Sequence, residues 1–328
     1  MNQFPRPRVV VSACLEFEPV RYNGQVMPCP IIRDLQPHAD YVTVCPEVEI
    51  GLGIPRDPIR IVKNSTGLHL IQPRTGKDVT QKMDAFTDDF LNRLPPIDGF
   101  IFKSQSPTIG LHNIKVYAGV EKAPVIDKTS GFFAQKIIDH YGGYPMEEDD
   151  RLRNIAIRHH FLTKLFTFAR FRQHAQLSRE HLRVFHEENR LLFHTYNETQ
   201  WSRLEEFMKT DIHDTSPHER YLEGLKHLLA RPPSVADYLT LAHNIIDTGS
   251  AQTTPGQQEA CRDAVRHYEN NTLCLAGLMQ ILKTYAGFTG QNHLLQQTLF
   301  YPYPDDLLPP IEGDRDKDYW KDRAFTYG

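Results

Sequence analysis

Three cysteines early in the chain stand where a sheet protein could use their thiols. Cys14 follows the apolar run 9–13 directly, and Cys45 follows the strand-like run 41–44. Because open parallel sheets bind ligands at the carboxyl ends of their strands, we expect both thiols at one crevice. Cys29 stands at the predicted start of the first helix, where thiolate is favoured. The spacing indicates a metal, a cluster or a reactive thiol; three buried, inert cysteines are the alternative.

Cations and hydroxyls accompany these cysteines. Arg21 lies in the turn 20–24 and Arg56 ends the turn 51–56. Either could hold a phosphate or neutralise the charge of a cluster, although each is also typical of a solvated loop. The loop 103–110 follows a predicted strand and combines a lysine, hydroxyls and backbone N–H groups. That composition suits the binding of an anion.

The elements that must position these residues alternate between strand and helix in the first part of the chain. Such alternation predicts an α/β domain with a mostly parallel sheet and helices on both faces. The break at 142–145 ends this pattern. The predicted strands are 9–13, 41–44, 59–62, 68–71 and 100–102, and the predicted helices are 30–35, 79–94 and 129–141.

After the break, the apolar residues recur at helical spacing, and an all-α domain follows. We expect the acidic run 147–150 at the positive end of the first of these helices, and Ser178 as the N-cap of the next. The predicted division is an α/β domain at 1–145, a linking helix at 146–178, a helical domain at 179–310 and an acidic tail at 311–328.

Composition excludes several classes of protein. A chain of 328 residues exceeds one typical core, which favours two domains. The net charge of -4 argues against general nucleic-acid binding. We find neither a secretion signal nor an apolar run of membrane-spanning length, so we expect a cytoplasmic protein without a membrane partner. The odd set of five cysteines fits a reducing compartment, and the sixteen histidines lack the spacing of a zinc site.

Six short motifs of the first domain occur in the order used by a known family. With them, residues 1–145 resemble the thiouracil desulfidase family. The helical remainder, with Phe185, His186 and the segment 297–304, resembles the YbgA-like helical domain, to which no chemistry is attached. The six motifs are 12–14, 20–24, 45–47, 53–56, 103–107 and 129–134.

The resemblance implies a [4Fe-4S] cluster that is held by three cysteines and leaves one iron free for the sulfur of the substrate. Cys14 and Cys45 match the first two ligands. Glu47 matches the carboxylate that handles protons, and Ser104 and Ser106 match the hydroxyl loop near the substrate. On the same reading, Arg21, Arg56 and Lys103 would orient the phosphate of a nucleotide.

The third ligand departs from the family pattern. The family loop reads Ser-Pro-Ser-Cys-Gly, whereas this chain has Ile109 at the cysteine position. Isoleucine cannot bind iron, so either the cluster is lost or another thiol replaces the missing one. Cys29 is the candidate replacement.

Three functions remain open from the sequence. The first is an enzyme of nucleotide salvage that removes sulfur, without redox change, from thiouracil or a thiouridine nucleotide. The second is a cluster-free protein that binds a nucleotide or a small anion on the same scaffold. The third is an interaction module, such as a homodimer contact, in the helical domain. Its candidate contact residues are Phe193, Tyr196, Trp201, Phe300, Tyr301 and Tyr303.

Overall fold

The computed structural model describes residues 4–175, 178–209 and 217–308. The chain divides into two compact units, residues 1–161 and 162–328. An α/β fold in the first unit is followed by a helical second unit, which confirms the predicted fold class. The predicted domain limits stay predictions, and the acidic tail 311–328 lies outside the described residues.

The strands of the first unit form two sheets. Strands β2, β1, β6 and β9 lie side by side in a parallel sheet. Val9, Val10 and Val11 of β1 are fully buried, as expected of a parallel strand that is covered on both faces. The strands are β1 (Arg8–Ser12), β2 (Asp40–Val44), β3 (Arg60–Asn64), β4 (Gly67–Gln72), β5 (Lys77–Asp78), β6 (Gly99–Phe102), β7 (Ile114–Tyr117), β8 (Val125–Thr129) and β9 (Met146–Glu148).

The sequence analysis predicted one sheet and did not predict the second. Its order is β5, β4, β3, β7 and β8, and only the pairing of β3 with β7 is parallel. The description "mostly parallel" therefore holds for the first sheet alone. Both sheets contribute to one apolar core, in which Phe100, Phe102, Ile109 and Phe133 are buried.

Three helices of the first unit lie near the predicted ranges 30–35, 79–94 and 129–141, whereas the short helix Pro46–Glu49 was not predicted. Pro30 and Pro46 occupy the first turns of two of them, a position where the missing N–H costs nothing. Cys29 and Cys45 are the N-caps of these same helices. The helices are α1 (Pro30–Leu35), α2 (Pro46–Glu49), α3 (Thr80–Arg93) and α4 (Phe132–His140).

The acidic run 147–150 does not have the structure that the sequence predicted. It does not begin a helix, because Met146–Glu148 is strand β9, and the next α-helix, α5 (Ile155–Ala175), begins later. Two carboxylates are tolerated in this buried strand because each has a partner. Glu147 accepts from Arg151 at 2.8 Å, and Glu148 accepts from the N–H of Leu111 at 2.7 Å.

The second unit is helical where the structure describes it. Ser178 caps α6, as predicted, by accepting from the N–H of His181, and capping boxes begin α10 and α11. Among the described residues, none of the helices has both the length and the apolar composition that a membrane crossing requires. The helices are α6 (Arg179–Glu188), α7 (Arg190–Tyr196), α8 (Glu198–Lys209), α9 (Pro217–Leu228), α10 (Val235–Thr248), α11 (Pro255–Glu269) and α12 (Leu275–Phe288).

Candidate functional site

Cys14 and Cys45 come together at the carboxyl ends of adjacent parallel strands. Ser12 of β1 pairs with Val44 of β2, and the two cysteines follow these residues closely. Burial, and next the neighbouring Cys45, raises the pKa of the Cys14 thiol to about 12. Burial also raises the pKa of Cys45. Two partly buried thiols that influence each other are suited to a soft metal, which takes up thiolate even where the free thiol keeps its proton.

Cys29 lies near the same charged residues as Cys14. Its side chain is buried, and burial raises the pKa of its thiol to about 11. Its backbone N–H donates to the carboxylate of Glu16. Lys103 and Asp149 act on the pKa values of both Cys14 and Cys29. The structure therefore brings Cys29 toward the ion pair that also borders Cys14.

Glu47 is held by two partners. Its Oε2 accepts from Arg56 Nε at 2.7 Å, and its Oε1 accepts from the Thr108 hydroxyl at 3.0 Å. The Arg56 side chain is 3% exposed and also donates to the carbonyls of Val20 and Gly53 at 2.8 and 3.1 Å. With its donors directed into the protein, Arg56 is better placed to hold Glu47 than to bind a phosphate.

Lys103 and Ser104 are joined by a buried acid. The Lys103 ammonium contacts the two oxygens of Asp149 at 3.0 and 2.9 Å and the Ser104 hydroxyl at 2.8 Å. The N–H of Ser104 donates to Asp149 at 2.8 Å. The sequence did not single out Asp149 as a site residue, because it belonged to the run expected at a helix start. The signal that could have found it is Lys103, a partly buried lysine that needs a counter-charge.

The loop beyond Ser104 turns its hydroxyls inward. Ser106 Oγ lies 2.9 Å from the Thr108 hydroxyl and accepts from the N–H groups of Thr108 and Ile109 at 3.3 and 3.2 Å. The Ile109 side chain is 4% exposed and belongs to the apolar core. The position at which the resemblance implies a third cysteine is thus filled by a core side chain.

Arg21 stands at the edge of the site. It lies in a turn closed by the N–H of Gly24, which donates to the Arg21 carbonyl at 2.8 Å. Its guanidinium is 5.4 Å from the ring centre of Tyr22, a residue with 45% exposure. Arg21 also lowers the pKa of Cys14, although burial outweighs this effect. A cation beside an exposed ring at the border of the thiol pair could meet an anionic substrate.

Two regions of the chain match models of known protein families. Residues 9–149 match the family model of 2-thiouracil desulfurase. We call this region the desulfurase domain after that model, as a label for the match and not for an activity. The match confirms the resemblance that the sequence motifs indicated, and it supports desulfuration of thiouracil at the level of the family. Residues 190–304 match a second model, DUF1722, a family of unknown function that corresponds to the YbgA-like region.

A solved structure also resembles the desulfurase domain. It is a [4Fe-4S]-dependent thiouracil desulfidase, TudS, with 24% sequence identity and a TM-score of 0.35. The alignment covers 47% of this chain and 97% of that one. None of the curated proteins compared with the chain matches it.

The cysteines of the desulfurase domain fit a cluster better than they fit a single metal ion. Within the described residues, no three His, Cys, Asp or Glu side chains are close enough together to hold one ion. A cluster of four irons spreads its thiolate ligands over several metal atoms. Cys14 and Cys29 both lie within the influence of Lys103 and Asp149, and Cys14 also within that of Cys45, which is a wider spread of thiols than one ion needs.

Glu148 in β9 gives the desulfurase domain a pH-dependent stability. Burial raises its pKa from 4.5 to about 7, against the lowering effect of the N–H groups of Leu111 and His112. The folded state therefore binds this proton more tightly than the unfolded state, and the free energy of unfolding falls as the pH rises from about 4.5 to about 7. We expect Glu148→Gln to remove this fall and to exceed the parent protein in stability above pH 7, by at most about 3 kcal/mol.

Urea unfolding at pH 5 and pH 8 tests this expectation. The exposed Glu121→Gln is the matched control, because it removes a carboxylate from the surface of the same unit. If the free energy of unfolding of Glu148→Gln depended on pH as that of the parent protein does, Glu148 would not be the source of the pH dependence.

The DUF1722 region has a cavity of its own. It has a volume of about 290 Å³, and its lining includes Glu198, Asp237, Asn244 and Gln291 but neither lysine nor arginine. The aromatic residues proposed as an interaction surface are mostly buried instead. Phe193, Tyr196, Trp201, Phe300 and Tyr303 are at most 8% exposed, so they serve as core.

Proposed function

We propose that the desulfurase domain replaces the sulfur of a thiolated pyrimidine, such as thiouracil or a thiouridine nucleotide, with the oxygen of water. The C–S bond breaks, a C–O bond forms, and sulfur leaves as sulfide while the two hydrogens of water end on the products. No electrons are transferred, so the reaction is a hydrolysis. The family match over residues 9–149 supports this class of substrate.

One observation carries the proposal. Glu47 stands two residues from Cys45, its carboxylate held between Arg56 and Thr108 beside the thiol pair. A fixed carboxylate next to the reacting carbon can accept a proton from the attacking water and return one to the departing sulfur. Ser104 is held by the Lys103 and Asp149 ion pair, which would keep its hydroxyl in place near the substrate.

A [4Fe-4S] cluster belongs to this proposal. Cys14, Cys45 and Cys29 would hold it, since Ile109 cannot. When bound, the cluster would supply an iron with an open coordination position that takes up sulfur as a Lewis acid. The five free cysteines are compatible with a reducing cytoplasm, which is where we place the protein.

The cations divide between two tasks in this proposal. Arg56 and Lys103 are engaged with Glu47 and Asp149, and we assign them to holding the site. Arg21 then meets the phosphate of a nucleotide substrate. A homodimer would change none of these roles and stays a prediction.

Turnover by protein purified without oxygen tests the function. We expect 2-thiouracil or 4-thiouracil to give uracil and sulfide in equal amounts, and only by protein that carries about four irons per chain, as a [4Fe-4S] cluster demands. Chromatography of the base and a colorimetric sulfide assay give the two yields. Iron-loaded protein that releases neither product from these bases or from a thiouridine monophosphate would contradict the proposal.

The burial of Ile109 favours a second candidate. A protein without a third ligand would bind a pyrimidine nucleotide and leave it unchanged. For this candidate, we expect the protein to remain free of iron after anaerobic reconstitution. Its melting temperature should rise with the concentration of a thiouridine monophosphate until the effect saturates.

A further inference from the structure

The carboxylate of Glu47 is fixed at both of its oxygens. Arg56 holds Oε2 through Nε at 2.7 Å, and Thr108 donates its hydroxyl proton to Oε1 at 3.0 Å. A carboxylate held at one oxygen can still rotate about its last bond. Two donors on different oxygens remove that freedom and set the plane of the group.

The charge on Glu47 determines which group donates in each hydrogen bond around Thr108. An ionised carboxylate only accepts, so the single hydroxyl proton of Thr108 points to Glu47. The Thr108 oxygen must then accept from Ser106, whose Oγ is 2.9 Å away. Ser106 Oγ in turn accepts from the backbone N–H groups of Thr108 and Ile109. Ser106 is therefore occupied in supporting Thr108.

The backbone of Thr108 is itself anchored on the first turn of α4. Its carbonyl accepts from the N–H of Ala134 at 3.0 Å, and the carbonyl of Pro107 accepts from Phe132 at 3.2 Å. Gly131 lies against this segment so closely that an added Cβ would come within 2.5 Å of the Thr108 carbonyl oxygen. Thr108 has 1% exposure, so it contacts Glu47 without facing solvent.

We infer that Thr108 is a positioning residue that aims the Glu47 carboxylate at the reacting atoms, with Ser106 and the start of α4 as its support. The inference rests on the proposed function, because it names how Glu47 is held for that reaction. It also changes the task of Ser106, which the resemblance placed near the substrate. A small displacement of a reacting group can reduce a rate by about 100-fold, so loss of one of two holding contacts should be visible in kcat.

Thr108→Val and Thr108→Ser separate the hydroxyl from the shape of the side chain. In iron-loaded full-length protein, we expect Thr108→Val to lower kcat by about 10-fold to 100-fold while KM changes little. Thr108→Ser keeps the donor and should restore most of kcat. Gly131→Ala should lower kcat as well, because the added methyl group must displace the Thr108 backbone.

Thr87→Val is the matched control, since Thr87 is equally buried but donates to the Met83 carbonyl within α3. It should leave kcat unchanged. Equal kcat in Thr108→Val and the parent protein, or equal losses in the valine and serine variants, would overturn the inference alone. Absence of turnover in the unsubstituted, iron-loaded protein would overturn the proposed function and this inference with it.

Discussion

Cys29→Ser protein, purified without oxygen, is expected to lose its bound iron and acid-labile sulfide almost completely. The resemblance implies three cysteine ligands, and the chain offers Cys14 and Cys45 at two of the family positions. At the third, Ile109 is buried in the core and cannot bind metal. A serine at position 29 keeps the shape of the side chain but replaces a soft sulfur ligand with an oxygen, which iron–sulfur clusters rarely accept.

The structure supports Cys29 through its surroundings. Cys29 and Cys14 share the influence of Lys103 and Asp149, and Cys29 is the N-cap of α1, beside the N–H groups of its first turn. The N–H of Ile32 in the first turn of α1 lowers the pKa of Cys29 and offsets part of the burial that raises it, whereas Asp149 raises this pKa more than Lys103 lowers it. Serine is close to cysteine in size, so the Cys29→Ser protein should stay folded without its iron.

Iron and sulfide content and the visible absorption spectrum measure this result. Cys274→Ser is the matched control, because Cys274 is a free and partly exposed thiol that caps α12 in the other unit. Full iron content in Cys29→Ser, together with loss in Cys14→Ser and Cys45→Ser, would show that the third ligand lies elsewhere. Ile109→Cys added to Cys29→Ser asks further whether the family position can still serve.

The positions of the two cysteines at the sheet could be predicted because a local pattern determines them. The apolar run at 9–13 has the length and composition of a buried parallel strand, and a residue just after such a strand must lie at its carboxyl end. The structure has β1 at Arg8–Ser12 and Cys14 directly beyond it. Each strand and the cysteine that follows it lie within a few residues of each other, so the local sequence is enough to predict both.

Strand β9 could not be predicted, because its stability comes from distant partners. Two glutamates in a buried strand contradict local propensity. They are tolerated since Glu148 accepts from Leu111, 37 residues earlier in the chain, and Glu147 accepts from Arg151. The acid that follows the strand, Asp149, pairs with Lys103, 46 residues earlier. The holding contacts of Glu47 and Arg56 were missed for the same reason, and Arg56 therefore looked like a loop cation that was open to a phosphate.

Glu47→Gln is expected to lower kcat by about 100-fold to 10,000-fold, which is the range for loss of a positioned acid or base. An amide is nearly the same shape as a carboxylate, but it cannot accept a proton from water and return it to sulfur. Substrate binding should change less, since the nearby cation Arg21 remains. Iron content should be unchanged, because Glu47 is not among the proposed ligands.

The same change has a structural cost that must be separated from the catalytic loss. Arg56 is 3% exposed and would lose its ionised partner, and an unpaired buried charge can cost about 3–5 kcal/mol of stability. Thermal unfolding and iron content of Glu47→Gln therefore accompany its kinetics. Glu49→Gln is the matched control, since Glu49 is exposed on the same helix and its substitution should leave both turnover and stability unaffected.

A folded, iron-loaded Glu47→Gln protein with the parent kcat would exclude Glu47 as the proton carrier. The Thr108 and Arg56 contacts would then serve only to hold α2 against the loop that follows β6. A large loss of kcat at unchanged KM would instead tie those two contacts to the reaction. The distinction matters because Glu47 is adjacent to a proposed iron ligand, so that only a variant which keeps its iron separates proton transfer from cluster assembly.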